Sequence, residues 1–182
     1  MADAADILAF WFGDDPDIER KAWFEGGAAF DDECRRFLPD WEDLRAGGRE
    51  GWLSAPSSLL AYVVLADQIP RNCFREDGRA FATDAAALAA ARHAVAQGWN
   101  MVMRRNERLF LYLPYEHAED LAMQDESMRL FGGLGDAYLL EFAEKHRDLI
   151  QRFGRFPHRN AMVGRTDTAE EAAFMAAHGR GY

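Results

Sequence analysis

The chain has 182 residues, 49% hydrophobic and 29% charged, a composition that excludes a disordered or membrane-embedded protein and is most simply a single domain over 1–182. Its formal charge of −10 argues against nucleic-acid and anionic-membrane binding, because neutralising phosphates requires a basic surface. Cys34 and Cys73 are too few for a disulfide framework or zinc site, and without a basic start or an apolar run of about 20 residues a cytoplasmic protein is expected.

Taken in chain order, Ala4 to Phe12 reads as an apolar helix that Gly13 ends, and Asp15-Pro16 as the cap and first turn of a short second helix. A charged helical stretch from Ala28 to about Arg45 is interrupted at Pro39, and Gly47-Gly48 forms a loop. Ser57 to Gln68 is a helix whose Leu-Leu-Ala-Tyr-Val-Val-Leu-Ala centre, apolar nearly all round, predicts burial. Phe81 to Gln97 is alanine-rich and ends at Gly98. Pro114 separates a helix over Glu107 to Leu113 from one over Tyr115 to Phe131, with Gly132-Gly133 as the stop. Asp136 to Phe153 is a long helix ended by Gly154. Thr168 with Glu171 three residues on is a capping box that opens a last helix, to about Ala177. Strand signals are nearly absent, so the expected fold is all-α, with layered antiparallel helix pairs and no clear sequence repeat.

Chemistry concentrates in two arginine-bearing proline tracts. Only Lys21 and Lys145 are lysines; the other cations are arginines, which suit forked contacts to carboxylates and phosphates. In the first tract, Asp67-Gln68-Ile69-Pro70-Arg71-Asn72, the proline should break the helix and present donors at the break. Asp67 shares a face with Leu60 and Val63 at a helix end whose dipole disfavours negative charge, so it needs a cation, and Arg71 is nearest. The second tract, Arg152-Phe153-Gly154-Arg155-Phe156-Pro157-His158-Arg159-Asn160, lies in a segment, 147–165, with five arginines and only Asp148 as an acid. His158 adds a titratable group and Asn160 an adaptable hydrogen-bonder.

The segment after Pro114 holds a third polar group. Read as helix, it places His117, Leu121, Gln124, Met128 and Phe131 on one arc, with Glu116 beside it, Asp120 flanking and Glu119 facing away. His117 and Asp120, one turn apart, could then act as a base and its orienting carboxylate. His146 shares a stripe with Leu139, Ala143, Ile150 and Phe153 and reads as packing. The chain has no metalloprotease, P-loop, dinucleotide-binding or nucleophile-elbow pattern, and no local spacing that calls for a metal or cofactor.

Three functions fit these residues. In the first, the tracts and the His117 segment form a pocket for a small anion or an acidic peptide end. Arg71, Arg155 and Arg159 clamp it, Asn72, Asn160, Gln124 and Glu116 orient it, and no nucleic acid or membrane is involved. In the second, the same pocket hydrolyses or isomerises an anionic molecule, with His117 or His158 as general base and Asp67 or Asp120 as its partner. In the third, the tracts are buried staples and function lies on an outer protein-binding surface. The aromatic content permits a homodimer surface.

The run Ile7-Leu8-Ala9-Phe10-Trp11-Phe12-Gly13, the two tracts, Phe81-Ala82-Thr83-Asp84, Tyr112-Leu113-Pro114 with Glu116-His117 and Glu119-Asp120, and Gly164-Arg165 together resemble one mainly bacterial family of uncharacterised proteins. That family carries Pro-Arg-Asn and Phe-Pro-His-Arg-Asn signatures and is grouped with tetratricopeptide-like helical folds. Ile69 stands where its pattern has phenylalanine. The resemblance covers essentially the whole chain and implies a layered helical fold, but no activity, substrate or catalytic residue.

Overall fold

In the computed structural model, which describes residues 1–179, the protein is all-α, and no strand occurs among the described residues. The chain divides into two compact units: Met1–Arg75 with Arg79–Pro114, and Glu76–Gly78 with the chain from Tyr115 onward. No helix among the described residues is long and apolar enough to cross a membrane.

The first unit begins with α1 (Ala4–Phe12), which a reciprocal Asp3/Asp6 capping box opens. The short α2 (Ala22–Glu25) is followed by α3 (Ala28–Arg35) and α4 (Leu38–Arg45). Asp15-Pro16 makes a turn rather than a helix: the Asp15 carboxylate and carbonyl accept the Asp17 and Ile18 N–H groups. Pro39 begins α4 instead of interrupting a helix, since a first-turn proline gives up no intrahelical hydrogen bond. Rings of α1 and its neighbours make the aromatic core: Phe110 meets Trp11 edge-on at 5.3 Å and Trp23 at 4.9 Å, distances at which such pairs add to simple burial.

Through the centre of this unit runs α5 (Pro56–Val63), continued by Val64–Gln68 and then α6 (Ile69–Cys73). Every residue from Leu59 to Pro70 is buried, as an all-round apolar helix requires. The small buried side chains of Ala87, Ala90, Ala91 and Ala94 let α7 (Asp84–Ala96) pack against α5. The next helix, α8 (Arg105–Glu116), carries Pro114 inside it and delivers Tyr115 and Glu116 to the second unit.

In the second unit α9 (Leu121–Gly132) and α10 (Ala137–Phe153) pack as a pair. Gly154 ends α10 in the left-handed conformation, φ 70°, with its N–H on the Ile150 carbonyl at 2.9 Å. That turn drops Phe156 into a core with Leu149, Ile150 and Phe174. The predicted Thr168/Glu171 capping box opens α11 (Ala169–His178). Gly78 belongs here because a Cβ on it would lie 2.6 Å from the Met162 carbonyl oxygen.

Candidate functional site

Pro70 has no N–H, so the Ala66 carbonyl four residues earlier loses its helical donor. The helix nevertheless continues through a π turn, in which the Ile69 N–H reaches back five residues to the Val64 carbonyl. Side chains donate to the carbonyls of this stretch, one of them to the Ala66 carbonyl that Pro70 leaves without its helical donor. Thr83 Oγ1 donates to the Ala66 carbonyl at 2.5 Å, Arg71 Nη1 to the Asp67 carbonyl at 2.7 Å and Asn72 Nδ2 to the Gln68 carbonyl at 3.0 Å. Thr83 Oγ1 also accepts the Trp41 indole N–H at 2.9 Å.

Asp67 is fully buried, and its carboxylate lies 3.0 Å from Arg71 Nη1 and accepts Gln68 Nε2 at 2.5 Å. The Arg71 fork closes on Asp84 at 2.8 and 3.0 Å. Burial opposes the guanidinium charge, but Asp67 and Asp84 outweigh it and its pKa is raised. Asn72 Oδ1 accepts Arg75 Nη2 at 3.1 Å, and Arg75 in turn grips both oxygens of Asp31 at 2.6 Å. These residues hold a helix in a shape that its own backbone could not maintain.

The second tract is built around an aromatic ring. Phe156 is fully buried, with the Arg159 guanidinium 4.5 Å from its centroid and the His146 and His158 rings each 5.6 Å away. His117 stands 6.5 Å from His146, and its carbonyl accepts Arg159 Nη2 at 3.0 Å. His146 Nδ1 lies 2.8 Å from the Phe142 carbonyl, so it carries the proton of the neutral ring. Glu116 Oε1 is 3.5 Å from the same nitrogen. Burial, with help from His117, His158 and Arg159, pushes the His146 pKa down to about 4 against the pull of the Phe142 carbonyl. Within an acidic chain, this spot gathers three imidazoles and a guanidinium. His117 and His158 are partly exposed; His146 and Arg159 lie deeper.

Other predicted residues have local duties. Residues 117–120 are not helical, so His117 and Asp120 do not share a helix face; Asp120 is the N-cap of α9 and accepts the Met123 N–H at 3.1 Å. Gln124 Nε2 caps the end of α8, donating to the Glu116 and Ala118 carbonyls at 2.7 and 2.8 Å. Arg155 forks onto Glu171 at 2.6 and 2.8 Å, a contact that, against the cost of burial and with the Thr168 cap, lowers the Glu171 pKa to about 2. Asn160 is fully buried; its side chain donates to Asp167 at 2.7 Å and its carbonyl accepts the Arg165 N–H at 2.8 Å.

Glu119, which a helical reading turns away, reaches the second tract because the chain there is a bend. Its oxygens take the Phe156 N–H at 2.8 Å and Arg165 at 2.6 and 2.8 Å. Burial raises its pKa, but Arg165, the Phe156 N–H and Arg159 outweigh that and lower it. Its partner lies 46 residues away, and no local pattern announces it. Thr83 and Asp84 have the same character: they complete the first tract from beyond it. Asp67, Arg71 and Asn72 thus belong to the first unit, and Glu116, His117, Asp120, Gln124, Arg155, His158, Arg159 and Asn160 to the second. Among the described residues, no group of three His, Cys, Asp or Glu side chains could hold a metal ion.

Residues 7–179 match the family DUF924, described as bacterial protein of unknown function. Among solved structures, the chain is similar to a protein of unknown function, ATU0120, from Agrobacterium tumefaciens. The two are 40% identical, with a TM-score of 0.87 over 96% of this chain and 97% of that one. No curated protein matches the chain.

Proposed function

The chain belongs to the DUF924 family of bacterial proteins of unknown function, and we propose that it binds a small anion, such as a carboxylate or phosphate, in its second unit through His117, His158 and Arg159. The observation that carries this reading is the gathering of His146, His158 and Arg159 around Phe156, with His117 beside His146. The His146 pKa is lowered by burial first and then by His117, His158 and Arg159, whose positive charge makes each added proton cost more. An anion among them reverses that cost, since unit charges about 4 Å apart attract by roughly 4 kcal/mol at an effective dielectric near 20. Arginine supplies a fixed fork and histidine a donor whose charge adjusts to the ligand.

In this reading Asp67, Arg71 and Asn72 shape the first unit, and Arg155 and Asn160 brace the second tract. The tetratricopeptide-like grouping that the resemblance implies makes an acidic peptide end the alternative ligand. Calorimetry with inorganic phosphate, succinate and an acidic C-terminal peptide tests the proposal. Arg159→Gln and His158→Gln are each expected to weaken the anion that binds by tenfold or more, with melting curves checking the fold. Unchanged affinity in both variants would remove the site.

A catalytic version is favoured by one observation: His117 and His158 are partly exposed, while His146 behind them is held neutral. One of the two would serve as general base in hydrolysis or isomerisation of the bound anion. Turnover of an anionic substrate that survives both His117→Ala and His158→Ala excludes them as bases.

A further inference from the structure

A cleft of about 640 Å³ opens in the first unit, lined by Ala9 and Phe10 of α1 and by Arg36, Phe37, Pro39 and Asp40. That volume falls in the range of small-molecule sites. Arg36 is exposed, yet it is held between two rings, its Cζ 4.5 Å from the Phe10 centroid and 4.6 Å from that of Phe37. Cation–π contacts use the charge of a guanidinium without occupying all five of its N–H donors. Among the described residues, Arg36 makes no ion pair and no side-chain hydrogen bond, unlike Arg71, Arg155 and Arg165, whose forks all close on carboxylates.

Asp40, only 3% exposed, supplies a second polar group to the cleft. Its Oδ1 accepts the Ala2 N–H at 2.8 Å and Arg49 Nη2 at 2.7 Å, while its Oδ2 accepts no hydrogen bond among the described residues. An exposed guanidinium held at an apolar wall describes a ligand with an anionic head and an apolar body.

We infer that this cleft binds a small organic carboxylate, its head on the Arg36 fork and its apolar body against Ala9 and Pro39. An organic carboxylate is favoured over inorganic phosphate because phosphate has no apolar body to lay against Ala9 and Pro39. This site stands independently of the anion site proposed for the second unit.

Calorimetry of the full chain with phenylacetate, phenylacetamide and inorganic phosphate tests it. Phenylacetate is expected to bind, with phosphate weaker and phenylacetamide, which keeps the body and loses the charge, at least tenfold weaker. Arg36→Gln should weaken phenylacetate tenfold or more while leaving the melting curve close to wild type, because the side chain is exposed; Arg159→Gln should leave phenylacetate binding unchanged. Equal binding of acid and amide, tighter binding of phosphate, loss through Arg159→Gln but not Arg36→Gln, or no binding of phenylacetate would each overturn the inference.

Discussion

Two tracts with nearly the same spelling, Pro-Arg-Asn and Pro-His-Arg-Asn, do different physical work. In the first, the proline lies inside a buried helix, Thr83 serves the carbonyl that the proline leaves without its donor, and Asp67, Arg71 and Asn72 are tied to the same stretch. In the second, a left-handed glycine has already ended the helix, so the proline starts a short turn that carries His158 and Arg159 past a buried ring. An arginine in a closed carboxylate network is a brace; one that lies against an aromatic ring among imidazoles is a candidate donor to a ligand. The difference lies in what surrounds the letters.

The most severe way to break this contrast is Asp67→Asn. If the first tract is a brace, removing one charge from a buried pair costs about 3 kcal/mol, the lower end for such pairs because Asp84 still holds Arg71. A loss under about 1 kcal/mol in urea unfolding would place the tract outside the structural class. Thr83→Val comes next, at about 2 kcal/mol, since it strips the Ala66 carbonyl and the Trp41 indole of their shared partner.

Smaller effects, confined to acid, sharpen the description of the second unit. His146 has a folded pKa near 4, below its usual 6.5, so its contribution to stability is complete above about pH 6.5 and is lost as pH falls toward 4. His117, His158, Arg159 and Glu116 are the charged or titratable groups facing it. His146→Leu should flatten the stability profile between pH 6.5 and 4, and an imidazole titrating near 6.5 by NMR would contradict the burial argument. Glu171, lowered from 4.5 to about 2, stabilises above about pH 4.5, and its contribution fades as pH falls toward 2. The smallest expected change is therefore a shallower acid limb in Glu171→Gln, read from chemical unfolding at pH 2 to 5.

Features set by neighbours in sequence were legible before the fold was known. The Thr168/Glu171 box, the Gly154 stop and the buried stretch around Leu60 follow from caps, left-handed glycine and all-round apolarity. The Asp67–Arg71 pair was also visible, being one turn apart. Continuity through Pro70 was not, because the donor that makes it tolerable comes from Thr83, beyond the tract. Pro114 misleads similarly: taking it as a break places His117 and Asp120 on one helix, whereas α8 runs through it and ends at Glu116. Glu119 and Arg165 meet across 46 residues, a pairing that only the packed chain can reveal.

The π turn at Val64–Gln68 bears on chain length. It stores one residue more than a plain α ladder would need between Leu60 and Pro70. Deleting one residue there would turn the π turn into a plain α turn and leave the downstream residues on the faces they already occupy. The tract is therefore written partly in a count, and a homologue that kept Asp-Gln-Ile-Pro-Arg-Asn but lost one residue before it could keep the same interior by giving up the π turn, whereas one that gained a residue could not.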